Sequence, residues 1–200
     1  MLSSTCATQN NTKPYQPIID LKDQIYQIKK LLRLRMNGVA STFMRNNGLN
    51  YKLNYGLDAM SIRGIASQFE TNAALAEFLW SQNARECKIL GTLLYPKTEF
   101  TTEKADLWLS DCFLQELMEQ LCFNLLQHLD FAPQKALEWI GSEDEKIRTA
   151  GYTLLLRLIL GKKNLPELTQ ALSSAEKDSH SENFRLEQSA TRFQERAKIV

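Results

Sequence analysis

The stretch AALAEFLWSQNARECKILGTLL, residues 73–94, decides how this chain folds. Its first half, Ala73–Trp80, is a short helical run that closes on a tryptophan, and its second half, Ala84–Leu94, is a more apolar helical run. The same order returns twice. EKADLW (103–108) leads into LQELMEQLCFNLL (114–126), and PQKALEW (133–139) leads into EDEKIRTAGYTLLLRLIL (143–160). Trp80, Trp108 and Trp139 are separated by 28 and 31 residues. This is a repeat of about 30 residues with one helical hairpin per unit. A lone hairpin cannot bury its apolar stripe, so stacking of hairpins has to supply the core. Strand signals are nearly absent. The expected fold class is therefore all-α, a right-handed α-solenoid, with the three tryptophans packed between layers.

Outward from the repeat, residues 18–172 carry most of the helical periodicity and form the expected repeat domain. Ile18, Leu21, Ile25, Ile28, Leu32, Met36, Val39 and Phe43 lie on one stripe, which predicts a single helix over 18–45 ended by Asn46, Asn47 and Gly48. GLNYKLNYGLD (48–58) reads as a loop before a helix at about 59–69. Ser142 with Glu145 has the spacing of a capping box, Pro133 suits a first helical turn, and Gly161 suits a C-terminal cap before a helix opened by Asn164 and Pro166. Residues 1–17 read as a disordered leader without the features of a signal peptide. Residues 173–200 read as a polar, mobile tail with room for one amphipathic helix around Phe184 to Arg196.

Composition narrows the class further. No run of 18 apolar residues appears, so a membrane span is not expected, and the chain is read as cytoplasmic. Four cysteines without C-x-x-C spacing and only two histidines give no dedicated metal site, and no glycine-rich loop calls for a cofactor. The net charge of +1 conceals a polarity along the chain. Residues 20–63 hold eight basic and three acidic side chains, whereas residues 64–130 hold four and ten. Any nucleic-acid contact must therefore use a local patch.

Within QELMEQLCFNLLQHL (115–129), Leu117, Met118, Leu121, Cys122 and Leu125 form the apolar face, leaving Glu116, Glu119 and Phe123 together on the other. That face is either a solvated surface with Phe123 packed on a neighbouring hairpin, or the lining of a groove that handles positive charge.

LWSQNARECKILGTLL (79–94) and EWIGSEDEKIRTAGYTLLL (138–156) resemble, in this order, two blocks of the DNA-alkylation-repair family, the HEAT-like alkylpurine DNA glycosylases. The resemblance covers roughly residues 25–170 and implies a superhelix of HEAT-like hairpins whose second helices line a concave, DNA-facing surface. It also implies excision of N3- or N7-alkylated purines, with a carboxylate stabilising the sugar cation formed as the N-glycosidic bond breaks. The acid's position falls at Glu119, the family's tryptophan one turn earlier at Gln115, and the family's arginine on the next repeat at Thr149. The set is incomplete, so catalysis stays undecided. Phe123 and Trp108 are the candidate groove aromatics. Candidate DNA contacts are Lys29 and Arg33 on the first helix and Arg85, Lys88, Arg148 and Arg157 on second helices. The expected partner is duplex DNA. The alternative is a catalytically silent scaffold that holds a protein or nucleic-acid partner on the same face.

Overall fold

In the computed structural model, which describes residues 20–163, 165 and 167–199, eleven α-helices succeed one another and no strand longer than a single bridge forms among the described residues. The expected leader, Ile18, and the helix-opening residues Asn164 and Pro166 lie outside the described residues. The helices are α1 (Leu21–Leu34), α2 (Gly38–Asn46), α3 (Ala59–Ala66), α4 (Ala73–Ser81), α5 (Arg85–Leu94), α6 (Thr102–Ser110), α7 (Gln115–Asn124), α8 (Ala132–Ile140), α9 (Glu145–Leu160), α10 (Leu168–Asp178) and α11 (Phe184–Ala197). They pair as hairpins α4/α5, α8/α9 and α10/α11. The second helices then stack in the order α3, α5, α7, α9, α11, which makes one layer. The first helices α1, α4, α6, α8 and α10 make the other. None of the described helices is long and apolar enough to cross a membrane.

The repeated tryptophans bind the first layer together. Trp80 and Trp108 stack face to face, with centroids 4.0 Å apart and planes 4° from parallel. Trp80 Nε1 donates to Asp111 and Trp139 Nε1 donates to Asp106, so these two buried indoles each have a polar partner. Lys135 Nζ meets the other oxygen of Asp106 at 2.6 Å. Where the hairpins cross, the second helix carries a glycine. A Cβ on Gly151 would lie 2.7 Å from Ile140 Cγ2, and one on Gly91 would lie 3.1 Å from the Ala76 carbonyl oxygen. These close approaches let the two layers pack at backbone contact.

Three expectations need correction. The single helix over 18–45 is two helices, because the Asn37 side chain accepts from Ala40 N and caps α2 while Asn37 N donates to the Tyr55 carbonyl. Val39 and Phe43 consequently stay 83% and 68% exposed instead of continuing the buried stripe. The cap of α9 is Asp144, whose carboxylate accepts from Lys146 N, and Ser142 supports it by accepting from Asp144 N. Residues past Leu172 are not a loose tail. The boundary falls inside α10, and α11 packs on α9 with Leu186, Ala190 and Phe193 fully buried. Pro133 in the first turn of α8 and Gly161 at the end of α9 stand as the sequence suggests.

The loop 48–58 is held by a buried charge network on α5. Glu86 is fully buried and accepts from Tyr55 N at 3.0 Å and Leu57 N at 3.2 Å. Beside it, Arg85 donates to the Leu57 carbonyl at 2.8 Å, to Glu86 at 3.1 Å and, from two nitrogens, to Glu116 of α7. Burial alone would lower the Arg85 pKa. Glu116 and Glu86 more than offset it, so the guanidinium titrates above its ordinary value. Glu86→Ala would leave two backbone donors and part of a guanidinium unpaired in the interior. We expect a loss of about 3–5 kcal/mol in urea denaturation; a change under about 1 kcal/mol would show that the network does not hold the loop.

Candidate nucleic-acid interface

The open face of the second layer is where α7 shows Glu116, Glu119, Gln120 and Phe123, all partly exposed. Phe123 sits between two cations. The Arg63 guanidinium carbon, from α3, lies 4.9 Å from the ring centroid, and that of Arg157, from α9, lies 4.8 Å away. These two arginines are therefore no more than about 10 Å apart. Arg63 reaches across α5, and a small recess lined by Ile62, Arg63, Ile89, Leu93, Gln120 and Asn124 opens beneath it. The aromatic among carboxylates that the sequence displays thus does meet neighbouring units, through their arginines. It is a cation–π platform.

On the other side of Phe123, Glu119, Thr153, Leu156, Arg157, Ser189 and Arg192 line a second recess of about 90 Å³. Arg192 belongs to α11, where Arg185, Ser189, Arg192 and Arg196 recur at four- and three-residue steps and so share one helical face. Among the described residues, none of Arg63, Arg157 and Arg192 has a carboxylate within ion-pair distance. Glu119 accepts a hydrogen bond from Gln115 at 3.2 Å, one turn back.

Of the residues singled out in the sequence, the structure brings Glu119, Phe123 and Arg157 together on this face. It withholds most of the others. Trp108 is 1% exposed in the tryptophan stack and is no groove aromatic. Arg85 is buried in the network with Glu86 and Glu116. Lys88 is buried with Nζ on the Trp80 carbonyl at 2.7 Å and 4.7 Å from the Trp80 ring, and burial lowers its pKa. It closes the end of α4 rather than meeting a ligand. Arg148 ties the α8–α9 turn to α10, donating to the Ser142 and Glu143 carbonyls and lying 3.2 Å from Asp178. Thr149 spends its hydroxyl on the Glu145 carbonyl. Lys29 rests over Phe78 of α4, in the first layer, and Arg33 is exposed on the same helix α1. Arg63 and Arg192 were not legible as contacts. Their companions are 60 and 35 residues away along the chain, and only the solenoid stack brings them together.

Among the described residues no group of three or more His, Cys, Asp or Glu side chains is placed to hold a metal. The thiols of Cys87 and Cys112 are buried, and desolvation pushes both up to about 12; Cys122 is raised further by the same cause. They stay neutral and unreactive. A double-mutant cycle between Arg157→Met and Phe123→Leu tests the platform. We expect a coupling of about 0.5–1 kcal/mol in urea denaturation, and strict additivity would show that the ring and the guanidinium do not interact.

Comparison with known proteins fits this architecture. A solved structure described as "a new family of proteins related to the HEAT-like repeat DNA glycosylases with affinity for branched DNA structures" matches with a TM-score of 0.75 at 18% identity, over 84% of this chain and 73% of that one. That likeness shows a HEAT-like repeat fold. No curated protein matches the sequence. The family model described as DNA alkylation repair enzyme matches residues 28–191, from α1 into α11. The chain belongs to the DNA alkylation repair enzyme family.

Proposed function

We propose that this protein binds DNA through backbone phosphates on the open face of its second layer and does not excise bases. The observation that carries this reading is the set Arg63, Arg157 and Arg192. These are three guanidiniums from α3, α9 and α11 that face one surface with no carboxylate partner among the described residues. Guanidiniums left without internal anions are free to displace counterions from a polyanion, and phosphate contacts fix a duplex in place without reading its sequence. Family membership, and the DNA affinity stated for the matched structure's family, point the same way.

Excision would require Glu119 to supply negative charge where a sugar cation develops. Glu119 instead shares its recess with Arg157 and Arg192, which offset its field, and its other neighbour is the Gln115 amide. The candidate catalytic role for Glu119 thus gives way to that of a carboxylate hydrogen-bonded to Gln115 at the edge of the arginine face. Duplex DNA is the partner, and the protein-binding scaffold reading has no observation of its own.

Binding to a plain duplex should weaken steeply with salt. Arg63→Ala, Arg157→Ala and Arg192→Ala should each reduce the log–log slope by about 1. Absence of retention on duplex at low salt, or slopes unchanged in all three variants, would dismiss the reading. With N7-methylguanine-containing duplex, we expect no release of the modified base above the rate without protein. Release that disappears in Glu119→Gln would restore Glu119 as a catalytic group.

A further inference from the structure

α2 turns toward solvent the side that a globular chain ordinarily buries. Its inner side closes on the loop 51–57: Ser41 Oγ donates to the Asn54 carbonyl at 2.7 Å, and a Cβ on Gly56 would fall 2.3 Å from the Asn37 carbonyl oxygen. Val39 and Phe43 stand one turn apart on the outer side and are largely exposed. Met36 before the helix and Met60 in the first turn of α3 are exposed as well. Arg35 draws these two close, because its guanidinium donates to the Ser61 carbonyl at 3.5 Å and so joins the neighbour of Met36 to the neighbour of Met60. Exposed apolar side chains scattered singly need no explanation, whereas four large ones around one short helix mark a contact surface.

The surroundings of this surface are cationic. Residues 24–57 hold six basic side chains and no acid. Three exposed ones border α2, namely Arg35, Arg45 in its last turn and Lys52 in the loop beneath, and among the described residues none of them has a carboxylate within ion-pair distance. The next acid along the chain, Asp58, is exposed and caps α3 by accepting from Ser61 N at 2.7 Å. A second copy of this chain on the same surface would set like charges against each other. The surface therefore calls for a partner that is anionic and also has an apolar part.

We propose that this surface holds single-stranded DNA, with the Phe43 ring against a base face and Arg35, Arg45 and Lys52 on the phosphates. The proposal rests on the DNA-binding reading and adds a second form of DNA to it. Val39, Phe43, Met36 and Met60 offer no donor to read a base edge in a groove, and a duplex hides its base faces in the stack. A single strand exposes base faces and phosphates together, which are the two chemistries this surface meets. An anionic bilayer also joins charge to an apolar layer, and continuity argues against it. Met60 stands one turn before Arg63 on the exposed side of α3, so the apolar surface begins where the arginine face ends, and one strand can follow both. The two methionines adapt to any base shape, so binding should show little sequence preference.

The test measures binding of the full chain to an oligothymidine and to a linear duplex of the same length, at low salt. The parent chain is expected to bind both. Phe43→Ala should lose about fivefold or more on the oligothymidine and about twofold or less on the duplex. Phe43→Leu, which keeps apolar area and removes the ring, should fall with it, while Phe43→Trp should keep the parent affinity. No loss on the oligothymidine, equal losses on both DNAs, or a leucine variant that binds like the parent would each overturn the proposal. So would a parent chain that binds duplex and ignores the single strand. Phosphatidylserine vesicles that bind the parent and not Phe43→Ala, with oligothymidine affinity unchanged, would assign the surface to a bilayer; a parent dimer that Phe43→Ala dissociates, with the same affinity unchanged, would assign it to a second copy. Failure of the parent to bind any DNA would sink the DNA-binding reading along with this one. As a readout that needs no variant, 2-aminopurine placed in the oligothymidine should be quenched on saturation with the parent chain. Fluorescence that stays constant contradicts a ring stacked on a base.

Discussion

One buried guanidinium organises the second layer. Arg85 reaches from α5 to the loop before α3 through the Leu57 carbonyl and to α7 through Glu116, while its neighbour Glu86 holds the same loop by two backbone amides. Three successive parts of the solenoid are thereby fixed to one another. A buried charge is costly unless its hydrogen-bonding capacity is met, and here carboxylates and a carbonyl meet it. α3 packs on α5 with Ile62 and Ile65 buried, and this anchor holds the loop that leads into it.

The face above that anchor follows from the stacking. α5 is buried along nearly its whole length, so the helices on either side come close enough for side chains to meet over it. Arg63 from α3 and Arg157 from α9 both end at Phe123. A ring contact of this kind holds a guanidinium by its face and does not consume its hydrogen-bond donors. This is a different use of α7 from the one the alkylpurine glycosylases suggest. Where they would place an aromatic, an acid and an arginine around a breaking bond, this chain has Gln115, Glu119 and Thr149. The acid stands among arginines, and the threonine is committed to its own helix.

The fold was legible because the tryptophans recur and because the hairpin boundaries are punctuated by residues with local reasons, such as Pro133 and Gly161. The family blocks were legible too, though the Arg85–Glu86 pair that helps to define them maintains the architecture rather than contacting a ligand. What stayed hidden depends on contacts distant in sequence. The amphipathic helix around Phe184 to Arg196 was legible, but that its Leu186, Ala190 and Phe193 bury against α9 and make it part of the fold was not. Arg63 has an unremarkable local sequence, and its significance comes from a ring on another hairpin. The break at Arg35–Asn37 was masked because apolar residues keep the helical period straight through it, and only the capping by Asn37 and its bond to Tyr55 reveal the turn.

The claim that this surface is the DNA site is tested most directly by following arginine Nε–H signals in a titration with duplex DNA. Signals of Arg63, Arg157 and Arg192 should move together while that of Arg85, committed to Glu116, stays in place. Movement confined to other arginines, with these three unchanged, would contradict the account.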